Sequence, residues 1–300
     1  MQLPLGLSPP PLRVAVLGSG SGGNCLVIES GERRLMVDAG FSCRQIELRL
    51  RRLGLEADAV DHLILTHEHG DHVRGAPLLS RRYGLPVWGT PGTLQELELN
   101  RDAAPIGELR SGEIRELDGF TVEPFSVPHD AREPIGVVVE DAYGRRVGLA
   151  ADLGTASRLA WSHLVDLDVL VLETNHDLEM LREGPYPWSL KERVAGRHGH
   201  LSNRQAAEGL RELICDRLQF VVPYHLSRTN NTAALAGAAV GEELDRQGCA
   251  AEVVVTRQNE PTAWIELDAV AVDGERFHGE RTLFDTIESE SREVAECGRQ

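Results

Sequence analysis

The sequence predicts an α/β protein in which two stacked sheets carry helices on their outer faces. Three observations predict it. Short apolar runs of strand length recur from residue 12 to residue 256. Helical spacing of apolar residues fills the gaps between the later runs. None of the runs approaches the ~20 residues that would span a bilayer, so they must bury one another, and helices packed outside two sheets would cover them.

The elements follow in order. Residues 1–11 read as a flexible leader, because Pro9, Pro10 and Pro11 cannot join a helix or a central strand. The leader has no basic stretch and is broken by prolines, so it does not read as a signal peptide, and the expected location is cytoplasmic. Structure is expected to start at LRVAVLG (12–18), followed by a Gly-rich turn, GSGSGGN (18–24), and by CLVIES and RRLMVDAG. Short β runs parted by Gly and charged turns suggest a meander. IELRLRRLG (46–54) has helical spacing and a Gly stop. DHLILT (61–66) and YGLPVWGT (83–90) are strand candidates, with more at 113–127, 136–141 and 146–151. LDVLVLE (167–173), LQFVVPY (218–224) and AEVVVT (251–256) are apolar enough for a sheet covered on both faces. Helices fit at 156–164, 188–197, 202–214 and 232–247, the third with Ser202 at an N-cap position. Residues 268–300 hold nine acidic residues against four arginines and read as an appended acidic tail.

Composition narrows the function. The 300 residues carry a net charge of −16, which disfavours sequence-independent clinging to nucleic acid or anionic membranes but leaves room for local basic surface. Lys191 is the only lysine among 31 basic residues. The five cysteines are scattered with no CxxC pair, which argues against a disulfide scaffold or a thiolate zinc site and fits a reducing compartment.

The strongest signal is THEHGDH (66–72), directly after a strand candidate. It packs His67, His69, Asp71 and His72 into six residues. In an extended turn His67 and His69 point the same way and can share one metal, while Asp71 and His72 face a neighbouring position. The bland alternative, a solvated polar loop, does not call for three histidines so close together. Four more residues each follow an apolar run: Asp38 in RLMVDAG, His129 in SVPHDA, Asp152 in GLAADLG and His225 in VVPYHLS. Singly each could be a turn carboxylate, a cap or a satisfied core histidine. Together they could line one rim of the sheets.

The order Asp, HxHxDH, His, Asp, His resembles the metallo-β-lactamase-fold hydrolases over roughly residues 12–267. The resemblance implies an αββα sandwich with a dinuclear metal site at one edge. It implies that His67, His69 and His129 hold one ion, that Asp71, His72 and His225 hold the other, and that Asp152 bridges them. Asp38 would then hydrogen-bond to the cluster from behind. Zn²⁺ suits such imidazole–carboxylate sites, with Mn²⁺ as the other candidate. Two ions ~3.5–4 Å apart can share a hydroxide and stabilise the attacking and leaving oxygens of a phosphoryl displacement, with Asp71 orienting the nucleophile.

GSGSGGN (18–24), ETNHDLEML (173–181), YPWSLKERVAG (186–196), GHLSN (199–203) and HLSRTNN (225–231) narrow the resemblance to the YycJ/WalJ-type proteins, a group similar to ribonuclease Z. That implies a metal-dependent phosphodiester hydrolase, a 5′-to-3′ DNA exonuclease. By the same resemblance Glu173 and His200 form a pair in which Glu173 holds His200 as the imidazolium that protonates the leaving oxygen. Only 73 residues separate Asp152 from His225, too few for the inserted clamp domain of β-CASP nucleases. The chain also lacks the long Gly/Pro-rich arm of ribonuclease Z, which favours DNA over RNA as substrate. Ser19, Asn24, His176, Ser227, Asn230 and Asn231 adjoin the site in sequence and are candidate substrate contacts. The amides of GSGSGGN can form an anion nest, although a tight β-turn explains the same glycines. The alternative function is a small-molecule hydrolase on the same fold: a cyclic phosphodiesterase, a lactonase or a glyoxalase-II-like thioesterase.

Overall fold

In the computed structural model, which describes residues 9–267, the chain opens as a meander of three antiparallel strands. These are β1 (Leu12–Gly18), β2 (Cys25–Ser30) and β3 (Arg33–Val37). Helix α1 (Cys43–Arg52) follows, its first turn capped by the Ser42 side chain. Then come β4 (His62–Ile64), the single turn α2 (Gly70–Val73), α3 (Ala76–Tyr83), β5 (Val87–Gly89), α4 (Pro91–Gln95) and β6 (Ile106–Glu108). β4, β5 and β6 add to β3 in parallel.

The second half repeats this plan. β7 (Arg115–Leu117), β8 (Phe120–Ser126), β9 (Ile135–Asp141) and β10 (Arg146–Ala150) form an antiparallel meander. After α5 (Arg158–His163), β11 (Val169–Glu173) pairs parallel to β10. Next come α6 (Leu178–Glu183), α7 (Trp188–Val194) and α8 (Asn203–Leu213). β12 (Phe220–Tyr224), α9 (Ala233–Gln247) and β13 (Glu252–Val253) extend the sheet in parallel. β14 (Ile265–Leu267) returns to pair antiparallel with β1. The first sheet therefore runs β14-β1-β2-β3-β4-β5-β6 and the second β13-β12-β11-β10-β9-β8-β7.

The two-residue period of a strand divides its side chains between two faces, and three cores result. Val14, Val16, Val37 and Ile64 of the first sheet pack with Val137, Val139, Val171 and Val222 of the second. Leu17, Val27, Met36 and Leu63 point outward onto Ile46, Leu50 and Leu79 of α1 and α3. Leu170, Leu172 and Val221 meet Trp161, Leu210 and Val240 of α5, α8 and α9. This is the αββα sandwich expected from the resemblance.

Differences are local. The strand expected at 251–256 shrinks to β13, which pairs on one side only, at the sheet edge. α3 and α6 have no counterpart in the sequence reading, because six to eight residues give too few turns to display a period. Cys25 and Cys43 are buried core residues. Most of the proposed leader and the whole acidic tail, with His278, lie outside the described residues. No described helix is long and apolar enough to cross a membrane.

Candidate metal centre

Six polar residues stand at the carboxyl ends of strands of the two sheets. Asp38 follows β3, Thr66 and His67 follow β4, Asp152 follows β10, Glu173 ends β11, and His225 follows β12. Parallel pairing aligns such ends along one rim, where open α/β sheets take ligands. Asp38, Asp152 and His225 adopt left-handed backbone at φ 62°, 53° and 56°. A non-Gly residue in that region costs about 1–3 kcal/mol. Here it turns the chain sharply just past the strand end, at the first residue for Asp38 and His225 and at the second for Asp152.

The THEHGDH segment changes conformation partway, unlike the extended turn expected from its sequence. His69 is the N-cap of α2, and its carbonyl accepts the amides of His72 and Val73 at 2.8 and 3.1 Å. Asp71 and His72 therefore sit on a helical turn. The turn swings His72 inward beside His67 (ring centroids 4.1 Å). Asp38 anchors it from behind. Its carboxylate accepts the Thr66 amide at 2.9 Å and the Thr66 hydroxyl at 3.0 Å, and lies 2.7 Å from His72 Nδ1. Thr66, which the sequence reading passed over, thereby fixes the start of the cluster.

Possible ligand atoms of His67, His69 and His129 lie within 4.8 Å of one another, and so do those of Asp71, His72 and His225. Asp152 lies between these two groups. One oxygen is 2.8 Å from His72 Nε2 and 3.8 Å from His67 Nε2; the other is 2.9 Å from His225 Nδ1. His69 Nδ1 and His129 Nε2 approach to 3.3 Å. Asp71 is 3.3 Å from His225 Nε2.

A further group, Asp152, Glu173, His200 and His225, adjoins these. Glu173 is fully buried; one oxygen accepts the Leu153 and Leu201 amides at 2.7 and 3.0 Å. The other lies 2.8 Å from His200 Nδ1 and 3.0 Å from His225 Nδ1.

The donor set fits divalent cations. His67 Nε2 is buried with no hydrogen-bond partner among the described residues, an arrangement that costs free energy unless something accepts its lone pair. Burial pushes the His67 and His129 imidazoles below their usual range, which keeps them neutral, the form that binds metal. His72 behaves oppositely: against burial, the Asp152 and Asp38 carboxylates push it up to about 10. Burial would also raise Asp71, but His225 and His72 hold its carboxyl down at about 2. The close approach of these carboxylates and imidazoles leaves positions between them that a cation can take.

A cleft of about 240 Å³ opens onto the centre. His69, Asp71, His129, Asp152, His200 and His225 line it, with Ser227 and Asn230. Tyr186, Leu190 and Arg193 form the opposite rim, and Arg193 pairs with Asp130 at 2.6 Å. These rim residues lie in or beside α7, which buries none of its residues. The YPWSLKERVAG stretch had marked the segment without assigning them a role.

Four other candidates do not reach the cleft. Ser19 is buried and accepts the His225 amide at 2.6 Å while its hydroxyl donates to Asn24. Asn24 accepts the Gly20 amide and approaches His72 Nε2 at 3.1 Å. Asn231 is spent on the carbonyls of Thr174 and Asn175 and on the Asn203 side chain. His176 is fully buried with neither ring nitrogen partnered among the described residues; burial pushes it down to about 4, and Asp177 rather than His176 caps α6. The glycine turn is a braced loop rather than an open anion nest. Its Gly20 amide goes to Asn24 and its Gly22 amide to Gln258 Oε1 at 2.6 Å. Gln258 lies more than two hundred residues away, so no local signal could reveal it.

The family model of the beta-lactamase superfamily domain matches residues 33–226. The chain is 35% identical over 240 residues to the exodeoxyribonuclease YycJ of Bacillus anthracis, covering 79% of this chain and 90% of that protein. It is 31% identical over 239 residues to the exodeoxyribonuclease WalJ of Streptococcus pneumoniae, covering 77% and 88%. Among solved structures it resembles the metallo-β-lactamase fold protein YhfI from Bacillus subtilis, with a TM-score of 0.65 at 17% identity, over 85% of this chain and 99% of that one.

Proposed function

The chain belongs to the metallo-β-lactamase superfamily and, within it, to the YycJ/WalJ group, and from that premise we propose that it is a 5′-to-3′ DNA exonuclease working with two divalent ions, zinc or manganese. The observation that carries the proposal is the position of Asp152 between two ligand triads, with the His200–Glu173 pair beside it. His67, His69 and His129 are assigned to one ion, and Asp71, His72 and His225 to the other, with Asp152 shared. Bound there, divalent ions would supply a more acidic water and counter-charge to the phosphodiester.

The protein's own groups account for the rest. Asp38 fixes the His72 ring through Nδ1, which leaves Nε2 for the centre and raises its basicity. Asp71, the more exposed carboxylate, lines the cleft and orients the nucleophile. Glu173 cannot leave its place, because two backbone amides hold it. It therefore fixes the tautomer and orientation of His200. Burial alone would lower the His200 imidazole, but Glu173 and Asp152 push it up to about 9, so it carries a proton at neutral pH. His200 lines the cleft and donates that proton to the leaving alkoxide. The four described cysteines are unpaired, in keeping with the cytoplasmic location proposed for the protein.

The test is hydrolysis of bis(p-nitrophenyl) phosphate, a lactone and a thioester by metal-loaded enzyme. The proposal expects phosphodiester cleavage well above the other two. Lactone or thioester hydrolysis without phosphodiester cleavage would establish the small-molecule alternative.

A further inference from the structure

An enzyme with a net charge of −16 must hold a polyanion through local charge. The loop from Leu226 to Thr232 separates the cleft from a second groove, of about 440 Å³. Ser227 lines both. On the cleft side of the loop, Asn230 is fully buried and both its amide atoms lack a partner among the described residues. On the groove side stand three exposed arginines from separate segments: Arg52 at the end of α1, Arg228 in the loop itself, and Arg257 after β13. Arg52 and Arg228 make no ion pair among the described residues, and Arg257 is 3.4 Å from the exposed Glu260, the only acidic residue of the groove.

We infer that this groove is a strand-binding extension of the cleft: it holds the sugar–phosphate backbone of the nucleic acid whose terminal nucleotide sits against Ser227 and Asn230. The inference rests on the nuclease reading of the centre. Three guanidinium groups on one side of the loop, and on the other a polar amide without a partner among the described residues, suit a phosphodiester chain. Arg offers forked donors to phosphate oxygens, and the contacts need no sequence information. The shared Ser227 makes the path continuous. A net charge of −16 repels DNA at long range, which favours an approach where arginines cluster.

The experiment is steady-state cleavage by metal-loaded enzyme carrying Arg52→Glu with Arg228→Glu, and separately Arg52→Gln with Arg228→Gln, of a labelled single strand of about 20 nucleotides, across a salt series. Bis(p-nitrophenyl) phosphate, too small to reach the groove, is the control. KM for the strand is expected to rise at least about tenfold in the Glu variant and less in the Gln variant. The slope of log(kcat/KM) against log salt is expected to flatten by about 0.7 for each phosphate contact removed. Turnover of the small diester is expected to stay unchanged, which also shows that the variants fold. An unchanged KM and salt slope in enzyme that does degrade the strand would overturn the groove assignment alone. A wild-type enzyme that hydrolyses the small diester but no strand would overturn the nuclease reading, and the groove with it.

Discussion

His200 and Asp38 do different work, and single substitutions separate them. His200 stands beside the proposed ligand set with Nδ1 shared between Glu173 and Asp152. His200→Ala is expected to lower kcat by about 10²–10⁴-fold, the usual contribution of a general acid, with bound metal per chain unchanged. Loss of metal in that variant would make His200 a ligand instead. Asp38 touches no part of the cleft, yet it sets the orientation of His72 and braces Thr66. Asp38→Asn keeps the shape and loses the charge, and metal affinity is expected to fall about 10–100-fold in a competition titration. At this scale the histidines and carboxylates were legible in the sequence, because each follows an apolar run and their types suit one chemistry. Ser19, Asn24 and Asn231 were harder to read, because a polar residue near a site in sequence looks the same whether it meets substrate or braces a loop. Only their partners, His225, His72 and Asn203, separate the two cases.

Elements hold the centre by interlocking loops. The Asn24 amide donates to the Asp71 carbonyl at 2.8 Å, and the Ala39 amide to the His72 carbonyl at 2.6 Å. Gly40 permits this approach: a Cβ there would lie 1.7 Å from the Asp71 oxygen. Gly40→Ala must displace the turn that carries Asp71, at a cost of about 1–3 kcal/mol. A melting temperature lower by several degrees and a loss of metal are expected together. Farther from the site, α8 and α9 are tied by the buried Glu243, which accepts from Arg211 at 2.6 Å and Gln247 at 2.8 Å, and pairs with Arg246. The Arg211 hydrogen bonds hold the Glu243 carboxyl below its usual range, against burial. A lowered carboxyl pKa stabilises the fold above the ordinary glutamate range, and the gain is lost as pH falls through the folded-state value. Both arginines are half-exposed, so solvent screens the pairs, and Glu243→Gln is expected to melt only about 1–3 °C lower at neutral pH. That difference should shrink as pH falls below about 4. No change with pH in a series of thermal melts would show that the charge contributes nothing. The sequence located the larger helices by their period. It did not reveal that the two sheets share one plan, a meander extended by parallel strands, since pairing partners are set by contacts between distant segments.

For the whole molecule, the two-sheet sandwich was readable because strands buried on both faces are apolar at nearly every position, as in VLVLE of β11. The net charge gave a poorer guide: −16 describes the sum, whereas the cleft and its neighbouring groove present Arg193 and the three groove arginines to a ligand. Metal should stabilise the entire fold, since its proposed ligands come from both sheets. At a hundredfold excess over its dissociation constant it contributes about 2.7 kcal/mol, so chelation is expected to lower the melting temperature by several degrees and re-addition of Zn²⁺ or Mn²⁺ to restore it. The most direct test of the central claim is digestion of DNA labelled at the 5′ end, and in parallel at the 3′ end, by metal-stripped enzyme before and after divalent metal is returned. The account predicts no cleavage without metal and, with it, immediate release of the 5′ label as a mononucleotide while the 3′-labelled strand shortens gradually. A strand left intact under every metal condition by an enzyme that turns over a lactone or thioester would contradict it.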